Sequence, residues 1–179
     1  LAFGFMEFPP MIGVLAFIQN LFHSESVFVH HFFSHIAAIL ILIFVAKITV
    51  ELGGKTKAVF LVLMCIIIAP AFGRSQQLFQ PVVFSQLFWV LNFFFLTKYV
   101  KSLDRKYLWL LTFGSALAFL TKYDAVFFIS GVSSLLLFKS TRQALIKQNF
   151  WWNIIVFILL ISPNIIWQIV NDFPVLKMF

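Results

Sequence analysis

From about Val29 to Val50 the chain runs through mainly apolar side chains, with Lys47 as its one Lys, Arg, Asp or Glu. As a helix, a run of that kind is long enough to cross the hydrocarbon core of a bilayer, which takes about 20 mainly apolar residues. Further runs follow at about Ala58–Phe72, Pro81–Thr97, Tyr107–Leu120, Ala125–Phe138 and Trp151–Val170. Composition leaves no soluble alternative: 62% of the 179 residues are hydrophobic, 11% are charged and 26 are Phe. Soluble domains carry roughly 45–50% apolar and 25% charged residues, and large exposed apolar patches are rare in water. The solvent of most of this chain is lipid. The expected fold is all-α, a polytopic transmembrane helical bundle of about six spans, forming a single membrane domain over residues 1–179. The fourth and fifth runs are short and parted only by Thr121-Lys122-Tyr123-Asp124, so a deep re-entrant pair is the alternative there. Before the first run, Pro9 to Phe22 is too short to span and opens on Pro-Pro, which suits a first helical turn. It reads as an interfacial helix lying along the membrane.

Net charge is +7, from thirteen Lys and Arg against six Asp and Glu. In a soluble protein that excess would raise nucleic acid as a partner. Here the basic residues sit between apolar runs, and the positive-inside rule accounts for them. Alternate connections hold Lys47, Lys55, Lys57, Lys98, Lys101, Arg105, Lys106, Lys139, Arg142 and Lys147, while the other set holds Arg74, Lys122 and Lys177. The first set is assigned to the cytoplasm. The opposite face then carries Glu7, Glu25, Asp124 and Asp172, with His23, His30, His31 and His35 near the outer end of the first span. The lone Cys65 excludes a disulfide within the chain. The chain opens on Leu1 with no signal-peptide pattern, and reads as lacking its true N-terminus.

Ionisable groups beside hydrocarbon cost several kcal/mol, so each one on the outer face needs a reason. Lys122 sits at a corner between two runs, next to Tyr123 and two residues from Asp124. Either it snorkels and pairs with that carboxylate, or it is a fixed cation for a phosphate or carboxylate ligand. Glu7 lies among aromatics just before the interfacial helix. It is either a charge favoured by a helix N-terminus or a general base for a hydroxyl, its pKa raised by apolar neighbours. Arg74 either anchors a helix end or adds a second phosphate contact. His31 and His35 are spaced i, i+4 as two zinc ligands would be, but no Glu follows His31 and no third ligand is at hand. Polar partners at the lipid interface are the better reading, and no metal is assigned. Glycine-rich phosphate loop, nucleophile elbow and Cys cluster are all missing from the sequence.

Taken in order, Leu1-Ala2-Phe3-Gly4-Phe5-Met6-Glu7-Phe8-Pro9-Pro10, Glu51-Leu52-Gly53-Gly54, Phe79-Gln80-Pro81-Val82, Leu120-Thr121-Lys122-Tyr123, Ser162-Pro163-Asn164 with Trp167-Gln168, and Phe173-Pro174-Val175-Leu176 carry a resemblance. The chain resembles the bacterial dolichyl-phosphate-mannose-protein mannosyltransferase-like family. That family stands among the C-type membrane glycosyltransferases, with the aminoarabinose transferases that modify lipid A. The resemblance covers nearly the whole chain. It implies a C-type glycosyltransferase fold in a bacterial inner (plasma) membrane, moving a sugar from a polyprenyl-phosphate carrier to a protein, lipid or glycan acceptor on the extracytoplasmic face. Family members invert the anomeric carbon: a carboxylate activates the acceptor and basic residues hold the departing lipid phosphate. The leaving group is already a phosphate, so positioned cations stabilise it without a metal or other cofactor.

Carried over residue by residue, the resemblance puts Glu7 in the acidic position of a glycine-aromatic-x-acid-x-Pro-Pro element where Asp is usual, and Glu7 is the catalytic candidate within this chain. Pro9 and Pro10 close that element, and Lys122 and Tyr123 match a Lys-Tyr pair at an outer turn. Arg74 and His31 join them as lipid-phosphate contacts. Two positions depart from the pattern: His31 stands where many relatives have Arg, and Ser85 where many have Asp. The resemblance also implies a first span and an acidic loop, the loop carrying the family's principal catalytic carboxylate, before Leu1 and later spans beyond Phe179, which makes the chain an internal fragment. Two other classes compete with a transferase. One is a transporter or flippase for anionic lipids, using Lys122 and Arg74 as a headgroup path; the other is a non-catalytic membrane subunit.

Overall fold

A computed structural model of the chain describes residues 10–22 and 26–174, and all regular structure among them is helical. The first helix, α1, covers Pro10–Asn20 and rests against later helices rather than standing free. Pro10 opens it, as the Pro-Pro signal requires; Glu7, Pro9, His23 and Glu25 lie outside the described residues. The long α2 covers Val27–Glu51. It ends because Glu51-Leu52-Gly53-Gly54 closes it in a Schellman turn, with Gly53 N–H on Val50 O at 2.9 Å and Gly54 N–H on Thr49 O at 2.8 Å. Gly53 sits at φ +93, and a Cβ on Gly54 would lie 2.8 Å from the Thr49 carbonyl, so both glycines are required by the turn.

The second apolar run is bent rather than straight. Helix α3 covers Thr56–Ile68 and α4 covers Pro70–Gln76, with 66° between them. Pro70 holds Ala69 in the extended region (ψ 117), and the chain restarts in a new direction. Helix α5, Pro81–Ser102, is continuous, and Leu103 in the left-handed region ends it. Asp104 then caps α6, Arg105–Thr121, by accepting from Lys106 N–H at 2.9 Å. The fifth run breaks too: α7 covers Ala125–Val132, tightens into a 3-10 turn at Ser133–Leu136, and meets α8, Lys139–Lys147, at 98°. The basic connection expected at Lys139 to Lys147 is thus a helix, with Thr141 and Leu145 buried. Helix α9 covers Trp151–Val170 and continues through Pro163.

Among the described residues three helices, α2, α5 and α9, are long and apolar enough to cross a membrane, or up to five if each bent pair counts as one span. Helix α6 has 17 residues, roughly 25 Å at 1.5 Å per residue, short of a ~30 Å hydrocarbon core. The core lies where α5 packs between α2 and α6, with Ala37, Ile41, Val83, Phe84, Leu87 and Ala118 buried together. The outer faces are apolar and exposed, as at Phe60, Phe127, Leu137 and Leu159, which is what a lipid solvent permits. One end of the bundle gathers the basic connections. There Lys98 pairs with the Glu51 carboxylate at 2.5 Å, the Lys101 ammonium donates to the Glu51 carbonyl, and Gln148 Nε2 donates to Leu103 O at 2.6 Å.

Candidate functional site

At the other end of α6 the chain must turn beside lipid, and it does so with few residues. Thr121 is buried and returns its hydroxyl to Leu117 O at 2.7 Å. Lys122 is extended (φ -159, ψ 133), and its carbonyl accepts from Ala125 N–H at 3.2 Å as α7 begins. An extended residue sends neighbouring side chains to opposite sides, and this corner follows that rule. Lys122 and Asp124 face one cavity, and Tyr123 faces another.

The Lys122 side holds a groove of about 610 Å³ between α2, the α3–α4 bend, α5 and the α6–α7 corner. Its walls are mainly apolar, with Ile41, Val45, Ile66, Phe72, Val90 and Phe93 among them. Its polar groups are Ser85 and Gln86 of α5 with Lys122 and Asp124 of the corner, and Trp89 adds a ring N–H. Lys122 Nζ lies 3.3 Å from Asp124 Oδ2. Ser85 Oγ lies 3.2 and 3.4 Å from the two Asp124 oxygens and donates to that carboxylate. Asp124 therefore links α5 to the corner and holds the ammonium at the groove. Both charged side chains stay about one-third exposed, at 32% and 35%, so the cation remains within reach of a ligand. Gln86 Oε1 accepts from Gln76 Nε2 at 2.8 Å and from Ser75 Oγ at 3.2 Å, which pins α4 to α5.

Tyr123 serves a different connection. Its hydroxyl donates to Asn164 Oδ1 at 2.8 Å and accepts from Gln168 Nε2 at 2.8 Å, while its ring packs 5.1 Å from Phe119. These bonds fasten the corner to α9. Arg74 is exposed on the last turn of α4 and is not among the groove residues. His31 lies in the first turns of α2, its ring 6.0 Å from that of His35, also away from the groove. Among the described residues no three His, Cys, Asp or Glu side chains converge as metal ligands would. Of the residues named from sequence, the structure thus brings Lys122, Asp124 and Ser85 to this groove and leaves Tyr123, Arg74 and His31 outside it. Gln86 was missed; its one signal was an amide inside an apolar run, where a polar side chain must find a partner.

Residues 7–167 match the family model described as dolichyl-phosphate-mannose-protein mannosyltransferase. The chain belongs to that family. Comparison with curated proteins and with solved structures found no match. As a member of the mannosyltransferase family, the chain is a membrane glycosyltransferase by class. Every polar group of the groove falls within the matched stretch, as does Glu7 at its first residue.

Proposed function

We propose that the chain forms the carrier-binding part of an inverting glycosyltransferase, which moves a sugar from a polyprenyl phosphate to an acceptor hydroxyl on the extracytoplasmic face of a bacterial plasma membrane. The observation that carries this reading is the groove: apolar walls for an isoprenoid chain, with one ammonium, Lys122, held there by Asp124, which Ser85 anchors in turn. Lys122 lies at the opposite end of α6 from Arg105 and Lys106. With the basic end in the cytoplasm, Lys122 faces outward.

In the reaction the acceptor oxygen forms a bond to the anomeric carbon as the bond from that carbon to the phosphate oxygen breaks. The acceptor proton passes to a carboxylate, for which Glu7 is the candidate in this chain, and one displacement inverts the centre. The bonding electrons leave with the lipid phosphate. Its charge rises as the bond breaks, so an ammonium already fixed beside it stabilises the transition state more than the ground state. The full-length protein in vesicles, given synthetic polyprenyl-phosphate sugars and an acceptor, is expected to release free polyprenyl phosphate and a glycoside of inverted configuration. Intact sugar-lipid moved between leaflets, with no phosphate released, would overturn the reading in favour of a transporter.

A further inference from the structure

The groove has a polar group that the proposed reaction leaves unused, the Gln86 carboxamide. Its carbonyl faces α4, where Gln76 Nε2 donates to it at 2.8 Å. Ser75 Oγ lies 3.2 Å from the same oxygen and 3.0 Å from Phe72 O, dividing one hydrogen between two acceptors. Gln76 Nε2 also reaches Ser75 Oγ at 3.3 Å, so its NH2 is committed to this cluster. Turning the Gln86 amide over by itself would set NH2 against NH2, and with Gln76 Nε2 directed at it this cluster takes the Gln86 carbonyl. The other end of the amide, Nε2, is left with two hydrogens and no partner among the described residues, on a half-buried side chain that lines the cavity. The bend at Ala69 and Pro70 is what brings Ser75 and Gln76 against α5.

We infer that Gln86 is a further substrate-binding residue, oriented by Ser75 and Gln76 to donate a neutral hydrogen bond from Nε2 to an acceptor oxygen of the carrier-linked sugar. The inference rests on the carrier-binding reading of the groove. Ser85, the preceding residue of α5, is tied to Asp124, and the amide lines the same groove as the Lys122 ammonium. A cation fixes charge without direction, whereas an amide held at its far end supplies direction. The acceptor is either a phosphate oxygen or a sugar hydroxyl, since both are oxygen acceptors on the same ligand.

The test is binding by the full-length protein in lipid nanodiscs, with polyprenyl phosphate and with the same lipid bearing a sugar. Gln86→Glu keeps an oxygen for Ser75 and Gln76 and nearly the same shape, but turns an acceptor instead of a donor into the groove. Gln86→Met removes the donor without adding charge. Both variants are expected to bind the sugar-bearing lipid about tenfold more weakly or worse, the usual loss for a hydrogen bond in such a site, while Gln86→Glu melts as wild type does. Loss with both lipids places the bond on the phosphate, and loss with the sugar-bearing lipid alone places it on the sugar. Wild-type affinity of either variant for the sugar-bearing lipid overturns the assignment. If Lys122→Ala still weakens binding in that case, only the role of Gln86 falls; if it does not, the carrier-binding reading falls as well.

Discussion

A Cβ added to Gly114 would collide with Asn92 Oδ1, and Asn92 of α5 is buried at 1% exposure. Gly114→Ala is therefore expected to cost about 1–3 kcal/mol through overpacking, seen as a lower melting temperature in detergent. Asn92→Ala in the same chain is expected to restore most of that loss; equal losses in both backgrounds would contradict the contact. The same dependence on neighbours decides which residues can be recognised from sequence. Lys122 stood out because a cation between apolar runs is costly wherever its neighbours lie, and Asp124 was near enough in sequence to be named as its partner. Tyr123 was grouped with Lys122 because the two are adjacent, yet the extended backbone at Lys122 parts them, and Tyr123 meets Asn164 and Gln168 instead. Gln86 draws its meaning from Ser75 and Gln76 on another helix, which no local pattern conveys.

Proline acts twice on the helices, with opposite results. At Pro70 the chain bends by 66° and α4 starts anew, whereas Pro163 sits inside α9 without ending it. The reason lies one residue earlier. Pro163 has no N–H for Leu159 O, and Ser162 Oγ donates to that carbonyl at 2.8 Å instead. Beside lipid no water replaces the missing bond, so the hydroxyl keeps the helix satisfied. Ser162→Ala is expected to destabilise the protein by about 1 kcal/mol, and to do nothing when Pro163→Ala is also present, because residue 163 then supplies its own N–H. Thermal unfolding of the four proteins checks this, and an equal cost in both backgrounds would refute it. Apolar run length located these helices but not their breaks. The expected span to Phe72 parts at Ala69, and the fifth run turns at Phe138 into α8, because helix breaks depend on local backbone angles rather than on hydrophobicity.

Over the whole molecule, charge was the more legible feature. Sorting Lys and Arg by connection set ten residues apart from Arg74, Lys122 and Lys177, and the structure ties that basic end together through Glu51, Lys98, Lys101, Leu103 and Gln148. Span count was less legible, since α6 has 17 residues and two runs are bent, leaving among the described residues three continuous helices long and apolar enough to cross, or up to five spans, against an expected six. The far end holds the proposed carrier site: an apolar groove meeting a cation paired with a carboxylate that a serine anchors. On the proposed reading, removing that cation leaves Asp124 facing the lipid phosphate alone, so the loss combines a missing attraction with a new repulsion. The direct test is the donor-concentration dependence of transfer by full-length Lys122→Ala in vesicles, at matched expression. Its kcat/KM for the polyprenyl-phosphate sugar is expected to fall about a hundredfold or more, with the acceptor KM unchanged; wild-type transfer at limiting donor would rule out Lys122 as the phosphate's cation.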